Sequence, residues 1–199
     1  MKFIHYLNEN ETSPEKIVSI LREECAPILK WMSKHGYNRF LRRFSHSLGR
    51  TEFDLIIPRK DRKPSDTPLW VHKLLDQAFN KKFGVKARSS GVFCRKVVIQ
   101  EFTFPISGEA YAIFPVGDYK YLWAPDINDL YLEWTKNIED VENKENIKIR
   151  TKSWAEDIVK QYTDKDLDKA YSEEIMLLCD KYYAISGEIY ESVWNELKK

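Results

Sequence analysis

Apolar positions recur along the chain with two periods. Some stretches repeat at helical spacing and others alternate as strands do, which predicts mixed secondary structure. Ile17, Ile20, Leu21, Cys25, Ile28, Leu29 and Met32 return at helical spacing. Ser13-Pro14-Glu15 opens that stretch with an N-cap hydroxyl, a first helical residue that has no N–H to satisfy, and an acid at the positive end of the helix dipole. Pro27 predicts a kink within it, and Gly36 predicts its end. Short strands are expected over residues 39–44 and 53–57. Residues 58–68 form a charged loop with three prolines. Asp66 or Thr67 is expected to cap the next helix, with Pro68 in its first turn, Val71, Leu74, Leu75, Ala78, Phe79 and Phe83 on its buried face, and Gly84 as its stop.

Further strands are expected over residues 85–88, 92–98, 110–114 and 119–124, with Trp123 in the core. Asp126 is expected to cap a helix reaching about Ile138. Residues 140–149 are almost wholly polar and are expected to be a mobile surface loop. Ser153 is the expected N-cap of a helix from Trp154 to about Thr163. An apolar strand follows Ser172-Glu173-Glu174, a second strand spans 182–185, and the tail 188–199 is amphipathic and helical. No repeat, low-complexity tract or clean linker interrupts this order. The expectation is therefore one domain over residues 1–199, with a helical segment at 1–36, an α+β core at 37–186 and a C-terminal helix at 187–199.

Basic and acidic side chains nearly cancel, at 32 against 31, so bulk charge does not predict nonspecific nucleic-acid binding. Aromatics reach 14 %, with six Trp and eleven Tyr, enough for a substantial core and a stacking pocket. The apolar runs are too short to span a bilayer, and residues 1–7 turn polar at Asn8 with no signal-peptide core. Cys25, Cys94 and Cys179 are odd in number and far apart, without a CxxC pair. They are expected to be free, buried thiols in a reducing cytoplasm. His5, His35, His46 and His72 show no metal-ligand spacing, and His72, close to Trp70, is expected to pack. Glycine-rich nucleotide loops, HExxH and GxSxG are absent. The basic loop 59–63 is interrupted by Asp61 and neutralises itself in part.

Three segments carry candidate chemistry. Arg39-Phe40-Leu41-Arg42-Arg43-Phe44 places arginines in a strand among apolar neighbours, where a guanidinium can grip a phosphate with two parallel hydrogen bonds. In Lys86-Ala87-Arg88-Ser89-Ser90-Gly91-Val92-Phe93, two hydroxyls and a glycine allow close approach to the backbone. In Glu173-Glu174-Ile175, carboxylates stand directly before an apolar strand, where Glu is otherwise depleted and where its side chain can face a cleft.

In this order the three segments resemble the arginine, serine, glutamate signature of the ADP-ribosyltransferase fold. The stretches 58–68, 88–93, 113–126 and 174–185 are similar to those of small ADP-ribosyltransferase-like proteins encoded by bacterial viruses. The resemblance covers about residues 39–185. It implies two small, mixed or antiparallel sheets enclosing a cleft. It also implies NAD as substrate with no metal, and a protein or nucleic-acid acceptor in the host cytoplasm. Arg42 or Arg43 would hold the NAD pyrophosphate, Ser89 and Ser90 would shape the nicotinamide-ribose site, Phe93 would stack on nicotinamide, and Glu174 would be catalytic. Two departures are visible. Arg43 or Phe44 stands where the family commonly has Gly after the first-strand arginine. Ser172 stands where arginine-modifying members carry a second Glu, and Glu173 has the wrong strand parity to replace it. The resemblance therefore leaves the acceptor open, and leaves open a catalytically inactive member that binds a host or viral protein.

Overall fold

The computed structural model describes residues 2–4, 13–36, 39–44, 52–97, 110–170 and 174–199. The chain is α+β and divides into two compact units. One comprises Met1–Pro58, Phe93–Lys120 and Cys179–Lys199; the other comprises Arg59–Val92 and Tyr121–Leu178. Ser172, Glu173, His5 and His46 lie outside the described residues.

The first unit opens with β1 (Lys2–Ile4) and α1 (Pro14–Glu24). The Ser13 side chain accepts from Lys16 N at 3.4 Å, as the N-cap pattern predicts. The expected kink is a full break at Cys25: α1 ends there and α2 (Ala26–Lys34) restarts with Pro27 in its first turn. Proline lacks the N–H that a continuous helix would use, so a new helix start accommodates it at lower cost than a bend. Ile17, Val18, Leu21, Cys25, Ile28 and Met32 form the buried stripe.

β2 (Arg39–Arg43), β3 (Phe53–Ile57), β4 (Val92–Val97), β5 (Ala110–Pro115) and β8 (Tyr182–Ser186) join β1 in one antiparallel sheet. Among these six strands the order is β1-β3-β8-β5-β2-β4. This single sheet is larger than either of the two small sheets expected. Its inner strands β5 and β8 are buried along their whole length, which explains their unbroken apolar sequences. Leu41 of β2 stands opposite Arg95 of β4 on one side and Ala112 of β5 on the other, fixing the register. The C-terminal helix α7 (Gly187–Leu197) stacks Tyr190 and Trp194 beneath Arg39 of β2. The guanidinium carbon lies 4.5 Å and 5.3 Å from the two ring centroids, and Nη1 lies 3.4 Å from Glu191. The three cysteines are free and buried, as expected.

The second unit holds α3 (Leu69–Phe83), α4 (Ala87–Ser90), α5 (Leu130–Ile138), α6 (Lys144–Lys160) and β7 (Ile175–Leu178). It also holds all but the first residue of β6 (Lys120–Leu122) and a 3-10 turn at Leu167–Lys169. Gly84 ends α3 in the left-handed region at φ 71°, as its sequence position predicts. Pro68 itself occupies the N-cap position, and the Asp66 carboxylate accepts from the adjacent Thr67 N at 2.7 Å rather than capping the helix.

Three expectations are corrected here. No strand forms at 85–88: Ala87 and Arg88 open the short helix α4, and residues 85 and 86 lead into it. The cap of α5 is Asp129, which accepts from Tyr131 N and Leu132 N at 2.7 and 3.2 Å; Asp126 lies in the preceding turn. The expected mobile loop 140–149 contains the first turns of α6, whose cap is Asn143, accepting from Glu145 N at 2.8 Å. Ser153 lies inside that helix. Its buried stripe, Thr151, Ala155, Ile158 and Val159, contains a polar and a small residue early on, which hides the helical period.

Lys82 closes the other end of α6, its ammonium donating to the carbonyls of Val159, Lys160 and Tyr162 at 3.2, 2.8 and 2.7 Å. A cation there satisfies end carbonyls and opposes the helix dipole. Trp134 Nε1 donates to Thr151 Oγ1 at 3.0 Å and ties α5 to α6. Trp123 is 6 % exposed and donates to Lys165 O at 2.7 Å.

Candidate active site

Glu174 immediately precedes β7. The three residues after it, Ile175, Met176 and Leu177, are fully buried and pull the strand's start into the interior. Its carboxylate does not stand open at a strand lip: the side chain is only 12 % exposed. Arg88 Nη1 donates to Glu174 Oε1 at 2.8 Å, and the Tyr162 hydroxyl donates to the same oxygen at 3.3 Å. Arg88 is itself 6 % exposed. Tyr162 is held by an edge-to-face contact with Phe79, ring centroids 4.9 Å apart.

Burial pushes the Glu174 carboxyl above the ordinary glutamate range. The Arg88 guanidinium pulls it back by charge and hydrogen bond, and the Asp129 carboxylate adds to the rise. The Tyr162 hydroxyl is pushed well above the ordinary tyrosine range, first by burial and then by the charge of Glu174. It therefore keeps its proton and serves as a donor.

Arg88 was not among the expected site residues; Ser89, beside it, was. The short helix α4 gives the two residues different partners. Asp76, on α3, accepts from the backbone N–H groups of Arg88 and Ser89 at 2.9 and 3.2 Å through Oδ1. The Ser89 hydroxyl donates to Asp76 Oδ2. His72 Nε2 lies 3.1 Å from Ser89 Oγ and 3.5 Å from Asp76 Oδ2. Ser90 turns elsewhere, its hydroxyl donating to Lys86 O at 2.8 Å.

Serine, histidine and aspartate thus meet, but not as an acyl-transfer triad. In such a triad the acid holds Nδ1 while the serine faces Nε2. Here both approach Nε2, and the serine proton is already directed at the acid. With the serine proton directed at Asp76, Nε2 meets Ser89 Oγ as a donor when it carries the ring proton, and the ring then has no lone pair aimed at the hydroxyl. Burial pushes the imidazole below its ordinary value, opposed by Asp76 and reinforced by the charges of Arg88 and Arg62. His72 is 2 % exposed and packs, as its position near Trp70 suggested.

Gly91 shows why a small residue follows the serines. A Cβ there would stand 2.5 Å from Ala87 O and 3.3 Å from Met176 Cβ. The close approach expected of a ligand is made instead by the last turn of α4 and by β7.

In the first unit, Arg42 and Phe93 meet directly. Arg42 Nη1 donates to Phe93 O at 3.0 Å, and its guanidinium carbon lies 5.2 Å from the Phe44 ring centroid. Arg43, one residue on and of opposite strand parity, is exposed. Of the expected site residues, Arg42, Arg43 and Phe93 belong to the first unit, and Ser89, Ser90 and Glu174 to the second.

Sequence order alone could not assign Arg88, Tyr162 and Asp76 to this cluster. Arg88 pairs with a residue 86 positions away, and Tyr162 reads as an ordinary core aromatic. Among the described residues, no group of three or more His, Cys, Asp or Glu could hold a metal ion, and no helix is long and apolar enough to cross a membrane. No family model, curated protein or solved structure matches the chain.

Proposed function

We propose that the chain is an NAD-dependent ADP-ribosyltransferase of the fold its segments resemble, with Glu174 as its catalytic carboxylate. One observation supports this most: Glu174, directly before an apolar strand, is held by the Tyr162 hydroxyl and by Arg88, whose neighbour on the short helix α4 is Ser89. Departure of nicotinamide leaves positive charge on the ribose carbon. A preorganised carboxylate stabilises that charge and can accept from the ribose 2′-hydroxyl. Arg88 and Tyr162 fix the position of the carboxylate, and Arg88 favours its charged form. Arg42 and Arg43, in the first unit, carry guanidinium groups of the kind that bind pyrophosphate. Ser172, two positions before Glu174, speaks against arginine as the acceptor and in favour of another side chain or a nucleic-acid group.

A specific observation favours a second reading, a non-catalytic member that binds a host or viral protein. Oε1 of Glu174 is committed to a buried ion pair, and Arg42 to a backbone carbonyl.

The readings separate on incubation with labelled NAD and a mixture of protein, DNA and RNA acceptors. Enzymatic transfer predicts label on one acceptor class, and a fall of about a hundredfold in Glu174→Gln with NAD binding weakened far less. Equal transfer by both proteins removes the catalytic assignment. Absence of both NAD binding and transfer supports the non-catalytic reading.

A further inference from the structure

On the second unit, Trp70, Lys73 and Leu74 of α3 and Lys148 and Lys152 of α6 line an open groove of about 350 Å³. Its floor is apolar. Trp70 is 36 % exposed although it packs edge-on against Trp134, ring centroids 6.0 Å apart. Beside the lining residues in sequence, Leu69 and Ile149 are 47 % and 66 % exposed. Exposed large apolar side chains of this kind mark a surface that water alone does not favour.

The rim is wholly cationic. Of the acids one turn from these lysines on α6, Glu156 lies 3.3 Å from Lys81, and Glu145 is exposed near the helix start. Lys73, Lys148 and Lys152 form no ion pair with a described residue. On a chain whose net charge is only +1, three such lysines around one apolar groove are a local arrangement, not a reflection of bulk charge.

We propose that this groove docks an acidic, amphipathic segment of a partner protein. Its apolar side chains would seat on Trp70 and Leu74, and its carboxylates would meet Lys73, Lys148 and Lys152. Charge complementarity selects the sign of the partner, and the apolar floor selects a peptide that carries its own hydrophobic face. A nucleic-acid strand fits less well, because the lining offers no amide, hydroxyl or carboxylate to meet base edges. The inference is independent of the chemistry at Glu174.

The test uses the full chain and a fluorescent peptide of roughly fifteen residues, with leucine and phenylalanine on one helical face and glutamate on the other. Controls are the same peptide with lysine for glutamate and a single-stranded oligonucleotide of equal length. Anisotropy should show saturable binding of the acidic peptide that weakens as salt is added. The Lys148→Glu/Lys152→Glu double variant should weaken it about tenfold or more. Both sites are exposed, so folding should be intact, which thermal melting checks; Trp70→Ala supplies a second, apolar probe. The proposal fails if the acidic peptide does not bind, or if it binds wild type and the double variant alike. It also fails if the lysine peptide binds equally or the oligonucleotide binds more tightly. Self-association of the wild type that the double variant abolishes would likewise overturn it, by making a second copy the occupant.

Discussion

Arg88 and Glu174, 86 positions apart in sequence, form a buried ion pair at 2.8 Å. Two opposite charges removed from water are tolerated only as a pair, so loss of either one strands the other. Arg88→Ala should cost about 3–5 kcal/mol. Arg88→Met combined with Glu174→Leu should recover much of that loss, because no charge remains buried. Denaturant unfolding of the two variants measures both values. A double variant less stable than Arg88→Ala would show that the pair contributes net stability beyond mutual neutralisation. Glu174→Gln, in contrast to the expectation for a carboxylate at an open cleft, should also lose stability measurably, since it weakens the partner of a buried guanidinium.

Two titrations act on stability with opposite signs. His72 sits below its ordinary value of 6.5, so the unfolded chain takes up the proton first. Its contribution is present above 6.5 and is lost as pH falls through the depressed value. Glu174 sits above its ordinary 4.5, so the folded chain takes up the proton first. Its contribution is present below 4.5 and is lost as pH rises through the raised value. From about pH 8 to about pH 5 the His72 contribution lowers the thermal midpoint on the acid side of 6.5, and the Glu174 contribution offsets it in part. The fall should be shallower in His72→Gln, which keeps a donor for Ser89 and cannot charge. Parallel profiles for the two proteins would remove His72 from the account. If Glu174 is the catalytic carboxylate, turnover should rise with pH through an ionisation above the ordinary glutamate range.

Asp76 is the acceptor that shapes α4. Asp76→Ala removes the partner of two backbone N–H groups and of the Ser89 hydroxyl, in a place that is 6 % exposed. Buried donors left unmade cost about 1–3 kcal/mol each, so the loss should reach about 2 kcal/mol or more. Asp76→Asn keeps one oxygen for the amides and should lose less. Nitrogen-detected spectra of the wild-type imidazole should show the proton on Nε2. A proton on Nδ1 would contradict the hydrogen-bond order deduced for His72, Ser89 and Asp76.

Elements whose local chemistry and apolar period agree are legible in the sequence. Ser13-Pro14, Gly84, and the strands at 53–57 and 175–178 depend on nearest neighbours, and all lie where their residues put them. Residues 85–88 and 140–149 were not legible. α4 exists because Asp76, on another helix, accepts its first N–H groups, and four residues carry no period of their own. α6 starts with exposed charges and has Thr151 and Ala155 where a strong apolar signal would be expected. The site divides in the same way. Glu174 was visible as an acid out of place before a strand, and Ser89 as a hydroxyl beside a glycine. Arg88 and Tyr162 were not, because their importance lies in which distant atom they reach.

Gly84 and Gly91 are both glycines beside helix ends, yet they should fail for different reasons. Gly84 has φ 71°, with nothing within 4 Å of an added Cβ. The obstacle there is the left-handed backbone, which costs an ordinary L-residue about 1–2 kcal/mol and asparagine less. Gly91 has φ −73° and ψ 143°, which any residue adopts. The obstacle is space: the Ala87 carbonyl oxygen at 2.5 Å is backbone and cannot rotate away, and Met176 closes the other side. Gly91→Ala should therefore cost about 1–3 kcal/mol through overpacking, and Gly91→Asn should cost at least as much. Gly84→Asn should cost less than Gly84→Ala. Four unfolding curves decide the matter. If asparagine rescues position 91 as it does position 84, the packing of α4 against β7 is looser than these distances state, and the seat of Arg88 beside Glu174 loses its rigid support.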